Sequence, residues 1–153
     1  MDYEAALKND DDDQVAGGVL GAVARLFEFD MALLEKDASE RTIASQLARH
    51  LQPFFPDHHI DVEYNLMGDV PKRVAWNGDP ALVYPDLIVH RRGTHVNVLV
   101  VEIKKGSNAA SKDDDIQKLA AYKIELGYRH ALFMRFGVGD EAGTILECEW
   151  VTI

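Results

Sequence analysis

The apolar positions of the chain change period several times, and the changes mark out its elements. From Val15 to about Lys36, the residues Val19, Val23, Leu26, Phe27 and Leu34 recur near the 3.6-residue helical period, with Gly17, Gly18 and Gly21 weakening the start. The stretch "DASERTIASQLARHL" predicts a firmer helix. Ile43, Leu47 and Leu51 form an i, i+4, i+8 stripe, Asp37 can cap the N-terminus, and Glu40 can reach back as in a capping box. Pro53 and Pro56 end it. The period then drops to two. Ile60–Leu66 alternates apolar and polar residues and reads as a half-buried strand, and residues 67–81 read as a long surface loop. "YPDLIVHRRGTHVNVLVVEIKK" reads as two strands around a polar turn, and "DIQKLAAYKIELG" as a helix opened by acids and stopped at Gly127. "HALFMRFG" and "TILECEWVTI" are closing strands around a Gly-containing turn. The order helix, helix, three strands, helix, two strands predicts a single mixed α/β domain over residues 15–153. An acidic flexible tail is expected at 1–14.

Composition narrows the class. At 153 residues with 47% hydrophobic and 27% charged positions, the chain has the make-up of one soluble globular domain. No apolar run approaches the roughly 20 residues of a bilayer-spanning helix, and the acidic N-terminus resembles no secretory signal. Cys148 is the only cysteine, so no internal disulfide can form; a cytoplasmic location without a membrane partner is the expectation. The net charge is −10, and half of it belongs to residues 1–14, which hold six acids and one lysine. The remaining body still carries an acidic excess, which argues against a protein that coats DNA. A local basic strip stays open, because Lys104, Lys105, Lys112, Lys118, Lys123 and Arg129 fall close together in sequence.

The strand pair carries the candidate chemistry. Asp86 interrupts the first strand, and Glu102 and Lys104 interrupt the end of the second, where burial makes a charge costly unless it is paired or bound. Glu102 and Lys104 share one face; Leu99, Val101 and Ile103 build the other. In an antiparallel pair opposed residues have a constant index sum. A three-residue loop sets Asp86 directly opposite Glu102, a five-residue loop sets it diagonal, and a two-residue turn turns it away. Two carboxylates so close repel unless a cation lies between them, and oxygen ligands with water suit Mg²⁺ or Mn²⁺. Such an ion can polarise a phosphate and help generate hydroxide, with Lys104 orienting the water or steadying the developing charge.

"PD" at 85–86 followed by "EIK" at 102–104, each in a strand context, resembles the PD-(D/E)XK nuclease superfamily, which includes many restriction endonucleases, junction resolvases and repair exonucleases. The resemblance runs from Ala38 to Phe136. It implies a restriction-endonuclease-like αβββαβ core, a central mixed sheet flanked by helices, and Mg²⁺- or Mn²⁺-dependent phosphodiester hydrolysis on DNA or RNA. Carried over residue by residue, Asp86 and Glu102 would hold the metal, the Ile103 carbonyl would add a ligand, and Lys104 would be the active-site lysine. A further glutamate of the first core helix would fall on Glu40, with the strand residue Glu63 as the other candidate. A Gln-x-x-x-Tyr motif seen in exonuclease-like members is not matched, since four residues separate Gln117 from Tyr122.

Further candidates for substrate contact are Lys118 and Tyr122, i, i+4 neighbours on one helix; His90, on the face of Asp86; and Trp76, which could stack on a base from the long loop. The other histidines lack partners at zinc-ligand spacing. The acidic charge keeps a second reading in view: a catalytically silent nuclease fold serving as a binding or assembly module in a defence or repair complex. A homodimer or a partner protein with a basic surface would ease an encounter with nucleic acid.

Overall fold

The computed structural model describes residues 1–153 apart from 11, 68, 69, 76, 77, 79 and 80; of 67 and 70 it describes the backbone alone. The N-terminal helices are α1 (Tyr3–Leu7), α2 (Asp13–Phe29), α3 (Met31–Glu35) and α4 (Glu40–Leu51). Strand β1 (His59–Val62) follows, then two small ladders, β2 (Leu66–Met67) with β3 (Val70–Pro71) and β4 (Arg73–Val74) with β5 (Ala81–Leu82). The chain continues through β6 (Leu87–His90), β7 (Asn97–Lys105), α5 (Asp113–Leu126), β8 (His130–Phe136) and β9 (Ile145–Trp150). The main sheet has the order β1-β6-β7-β8-β9, and only the β7–β8 pair, joined through α5, is parallel. The expected mixed α/β class is therefore present: a five-stranded mixed sheet with helices on both faces.

Alternation along the central strands assigns those faces. Leu87, Val89, Leu99, Val101, Ile103, Leu132 and Met134 pack with α2 and α4. Ile88, Val100, Ala131 and Phe133 pack with Leu119, Tyr122 and Leu126 of α5. Strands apolar on both sides belong in the middle of a sheet covered twice, and β7 and β8 lie there. Two of the three glycines that weaken α2 by propensity make room for the turn after α4: a Cβ on Gly18 would stand 2.7 Å from Phe55 Cε2, and one on Gly21 would strike the Phe54 ring, whereas one on Gly17 would meet nothing within 4 Å.

Three local expectations need correction. The described residues of 1–14 are anchored to the domain and do not form a free tail. Asp2 caps α1, Leu7 is fully buried in the core, Trp150 Nε1 donates to the Leu7 carbonyl at 3.0 Å, and Asp10 meets His130 Nδ1 at 3.0 Å. The acidic run supplies a helix cap as well, since Asp12 accepts from the Gln14 and Val15 amides at the start of α2. The α4 cap is also different. Ser39, not Asp37, accepts from the Thr42 amide, and Glu40 is the first helical residue with its carboxylate turned elsewhere. The long loop carries two short ladders in place of unbroken coil.

The β6–β7 register decides the site. Leu87 pairs with Val101, Ile88 with Val100 and Val89 with Leu99, but His90 pairs with Asn97, so a bulge passes over Val98. The bulge overturns the strict alternation expected for β7. Val98 packs with the α2–α4 core, and buried Asn97 donates from Nδ2 to the Leu126 carbonyl at the end of α5. From the bulge back to Leu87 at the start of β6 the register is undisturbed.

Candidate active site

Continuing that register by one residue sets Asp86, in the bend before β6, across from Glu102 of β7. The Ile103 amide fixes it there, donating to Asp86 Oδ2 at 2.8 Å. The two carboxyls stand close enough for each to act on the other's ionisation. Glu102 is buried, and Tyr122 Oη donates to its Oε1 at 3.1 Å. Burial raises the Asp86 pKa, chiefly by stripping water from the charged form, and the neighbouring acids Asp115 and Glu40 add to the rise. Glu102 is pushed well above the carboxylate range by the same desolvation and then by the charge of Asp86; the Tyr122 hydrogen bond pulls the other way. Tyr122 itself is raised, by burial first and by Glu102 second.

Lys104, two residues along the same face, pairs with Asp115 of α5, Nζ to Oδ2 3.0 Å. Burial works to lower the Lys104 pKa, but the Asp115 bond and the charges of Asp115, Glu40 and Asp86 outweigh it and hold the amine protonated above its ordinary value. Asp115 is absent from the sequence-derived candidates. The helical period carries the signal: Asp115, Lys118 and Tyr122 stand at i, i+3 and i+7, one face of α5.

These side chains line one pocket of about 420 Å³: the acids Glu40, Asp86, Glu102 and Asp115, the cations Lys104 and Lys118, Tyr122, and Leu82, Val83 and Tyr84 from the segment leading into β6. A larger groove of about 920 Å³ runs elsewhere, between α4 and β1, and its lining holds no carboxylate.

Of the remaining candidates, Glu40 reaches the pocket, but its Oε2 accepts from the Lys105 amide at 2.9 Å and from Asn108 Nδ2 at 3.0 Å. It ties α4 to the end of β7. Glu63 is exposed and faces Arg41 at 3.6 Å, outside the pocket. His90 is also outside. Four residues along β6 from Asp86, it is buried against Tyr64 and bonded through Nε2 to Asp61 at 2.7 Å. His50 and His130 likewise have Asp partners, Asp30 and Asp10. Trp76 lies outside the described residues. Among the described residues no group of three or more His, Cys, Asp or Glu side chains is placed to hold a metal ion.

Four lysines of the basic strip are bonded within the fold. Lys104 is paired with Asp115, Lys105 with Asp37 at 3.1 Å, and Lys112 with Glu147 and Glu149 at 3.6 Å; Lys123 donates to the Val151 carbonyl. Among the described residues no helix is long and apolar enough to cross a membrane. The chain matches no protein-family model, and no curated protein or solved structure matches it at a significant level.

Proposed function

We propose that the chain is a metal-dependent phosphodiester hydrolase of the PD-(D/E)XK type, acting on nucleic acid from the Asp86–Glu102–Lys104 pocket. The observation that carries the reading is the β6–β7 register. It brings the Pro-Asp acid across from the Glu-x-Lys strand end, with all three side chains lining one polar cavity. The order α4, β1, β6, β7, α5, β8 supports it, being the αβββαβ sequence that the motif implies.

The residues suit a hard divalent cation. Buried Glu102 and half-buried Asp86 are close enough to raise the cost of ionising both, and a cation held by Asp86 and Glu102, with the Ile103 carbonyl from the same strand, would relieve that repulsion. Mg²⁺ or Mn²⁺ so bound would supply polarisation of the phosphate and acidification of a water molecule. The protein's own groups do the rest. The Ile103 amide fixes Asp86, and Tyr122 holds Glu102 in place from α5. Because Asp115 keeps Lys104 charged, Lys104 serves as an electrostatic group aimed at the developing negative charge, and a proton acceptor must be sought in the solvent or substrate.

A second reading, a nuclease fold retained as a binding or assembly module, draws on the two-carboxylate site and the charge of −10. One experiment separates the two. Plasmid, single-stranded DNA and RNA are incubated with Mg²⁺ or Mn²⁺ and wild type, Glu102→Gln or Lys104→Ala protein. Cleavage that both substitutions abolish supports hydrolysis. No cleavage, with no rise in Tm on adding Mg²⁺, overturns it in favour of the binding module.

A further inference from the structure

Beside the acid pair stands an apolar wall that the proposed chemistry does not use. Tyr84 is 57% exposed and Leu82 is 43% exposed, yet both line the same pocket as Asp86, Glu102 and Lys118. Large side chains left this open beside a charged pocket need a reason, because Val83, between them, and Leu87, at the start of β6, are buried immediately alongside.

Charge says what kind of ligand fits. Duplex DNA presents one phosphate charge per ~1.7 Å of its axis, and binding it takes an array of unpaired cations. Here four lysines of the basic strip, Lys104, Lys105, Lys112 and Lys123, are bonded internally, and so is Arg135, held by Glu147 at 2.6 Å. A single strand makes fewer phosphate demands and adds base stacking on an exposed aromatic face. A pocket of about 420 Å³ falls in the range of about 300–1,000 Å³ typical of small-ligand sites, which suits one splayed nucleotide.

We infer that the pocket takes a single-stranded nucleic acid, with the base next to the attacked phosphate stacked on Tyr84 against Leu82. This rests on the hydrolytic reading for its phosphate but not for its stacking contact. Tyr84 here is a substrate-binding residue, and nothing in the acid pair depends on its ring.

The test is anisotropy of labelled oligonucleotides about 12 nucleotides long, single-stranded and duplex, in Ca²⁺, for wild type, Tyr84→Phe and Tyr84→Ala, with cleavage of both followed in parallel in Mn²⁺. The expected result is tighter single-strand binding by at least about tenfold, weakened about 5- to 100-fold in Tyr84→Ala and by less than about threefold in Tyr84→Phe. Duplex bound as well as single strand, or equal affinity in Tyr84→Ala at unchanged Tm, overturns the inference. Cleavage absent from every substrate sinks the hydrolytic reading alone, because the binding comparison still decides the role of Tyr84.

Discussion

Lys104 of β7 and Asp115 of α5 form an ion pair at 3.0 Å with side chains only 16% and 9% exposed, bridging the strand that carries the acids and the helix that covers them. Breaking such a pair strands a desolvated charge. Because Lys104 keeps part of its water, the cost falls below the roughly 3–5 kcal/mol of a fully buried pair. Asp115→Asn is expected to lose about 1–2 kcal/mol. The sign over pH follows from the raised Lys104 pKa: the stabilisation is complete below the unfolded value of about 10.4 and fades only as pH rises through the folded one. Urea midpoints of wild type and variant should therefore differ by a constant amount from pH 6 to 9. A difference that shrinks within that window would place the pairing energy elsewhere.

Tyr122 is the donor that keeps buried Glu102 from rising still further. Tyr122→Phe removes the hydroxyl without opening a cavity, so the Glu102 pKa climbs and the fraction ionised at a given pH falls. If cleavage requires the ionised acid, the acid limb of the pH–rate profile moves to higher pH and the rate at neutral pH drops about tenfold. The profile is the deciding measurement. A drop in rate with an unmoved acid limb would show that Tyr122 acts on substrate and not through Glu102.

What the sequence revealed and what it hid follow from the range of each signal. The period-3.6 stripe of Ile43, Leu47 and Leu51 and the double-sided apolar run of β7 are local, and both elements form where they were expected. The Asp86–Glu102 juxtaposition is a matter of register. Index arithmetic left a directly opposed and a diagonal arrangement open, and the turn with its bulge at Val89/His90 selected the first. The same bulge sends Val98 to the face opposite the one alternation predicts, which no pattern count could reveal. Asp115, the partner of Lys104, lies 11 positions away on another element, and the tail residue Leu7 finds Trp150 across nearly the whole chain. Such long-range pairings are decided by tertiary packing, and so is the contact of Asp10 with His130; the Asp12 cap on the Gln14 and Val15 amides is local and belongs to the start of α2.

The acid pair makes stability fall as pH rises. The unfolded chain releases the Asp86 and Glu102 protons near pH 4, about 3.9 and 4.3. The folded chain holds them longer, so between those values and the raised folded ones the unfolded state binds fewer protons and gains ground. Glu102→Gln removes much of this penalty and is expected to melt higher than wild type at pH 7 in EDTA. Mg²⁺ should reverse the order, adding about 2.7 kcal/mol to wild type at a hundredfold excess over Kd and little to the variant. Equal Mg²⁺ effects on both proteins would remove the acid pair from metal binding.

Lys72 offers a check remote from the pocket. It is 1% exposed, its Nζ donates to the Tyr64 carbonyl at 3.0 Å and lies 4.9 Å from the Tyr64 ring centroid, and burial brings its pKa down to about 8 despite the pull of Asp61. A lysine whose folded pKa is depressed destabilises most where both states are protonated, below about pH 8. The penalty shrinks as pH climbs toward the unfolded value of about 10.4. Lys72→Met keeps most of the volume and removes the charge, so it is expected to stabilise the fold by about 1 kcal/mol at pH 7, with the gain disappearing by pH 10. Thermal melts of the two proteins across that range measure it. A variant less stable than wild type at pH 7 would mean that the Tyr64 carbonyl bond and ring contact outweigh the cost of burying the ammonium.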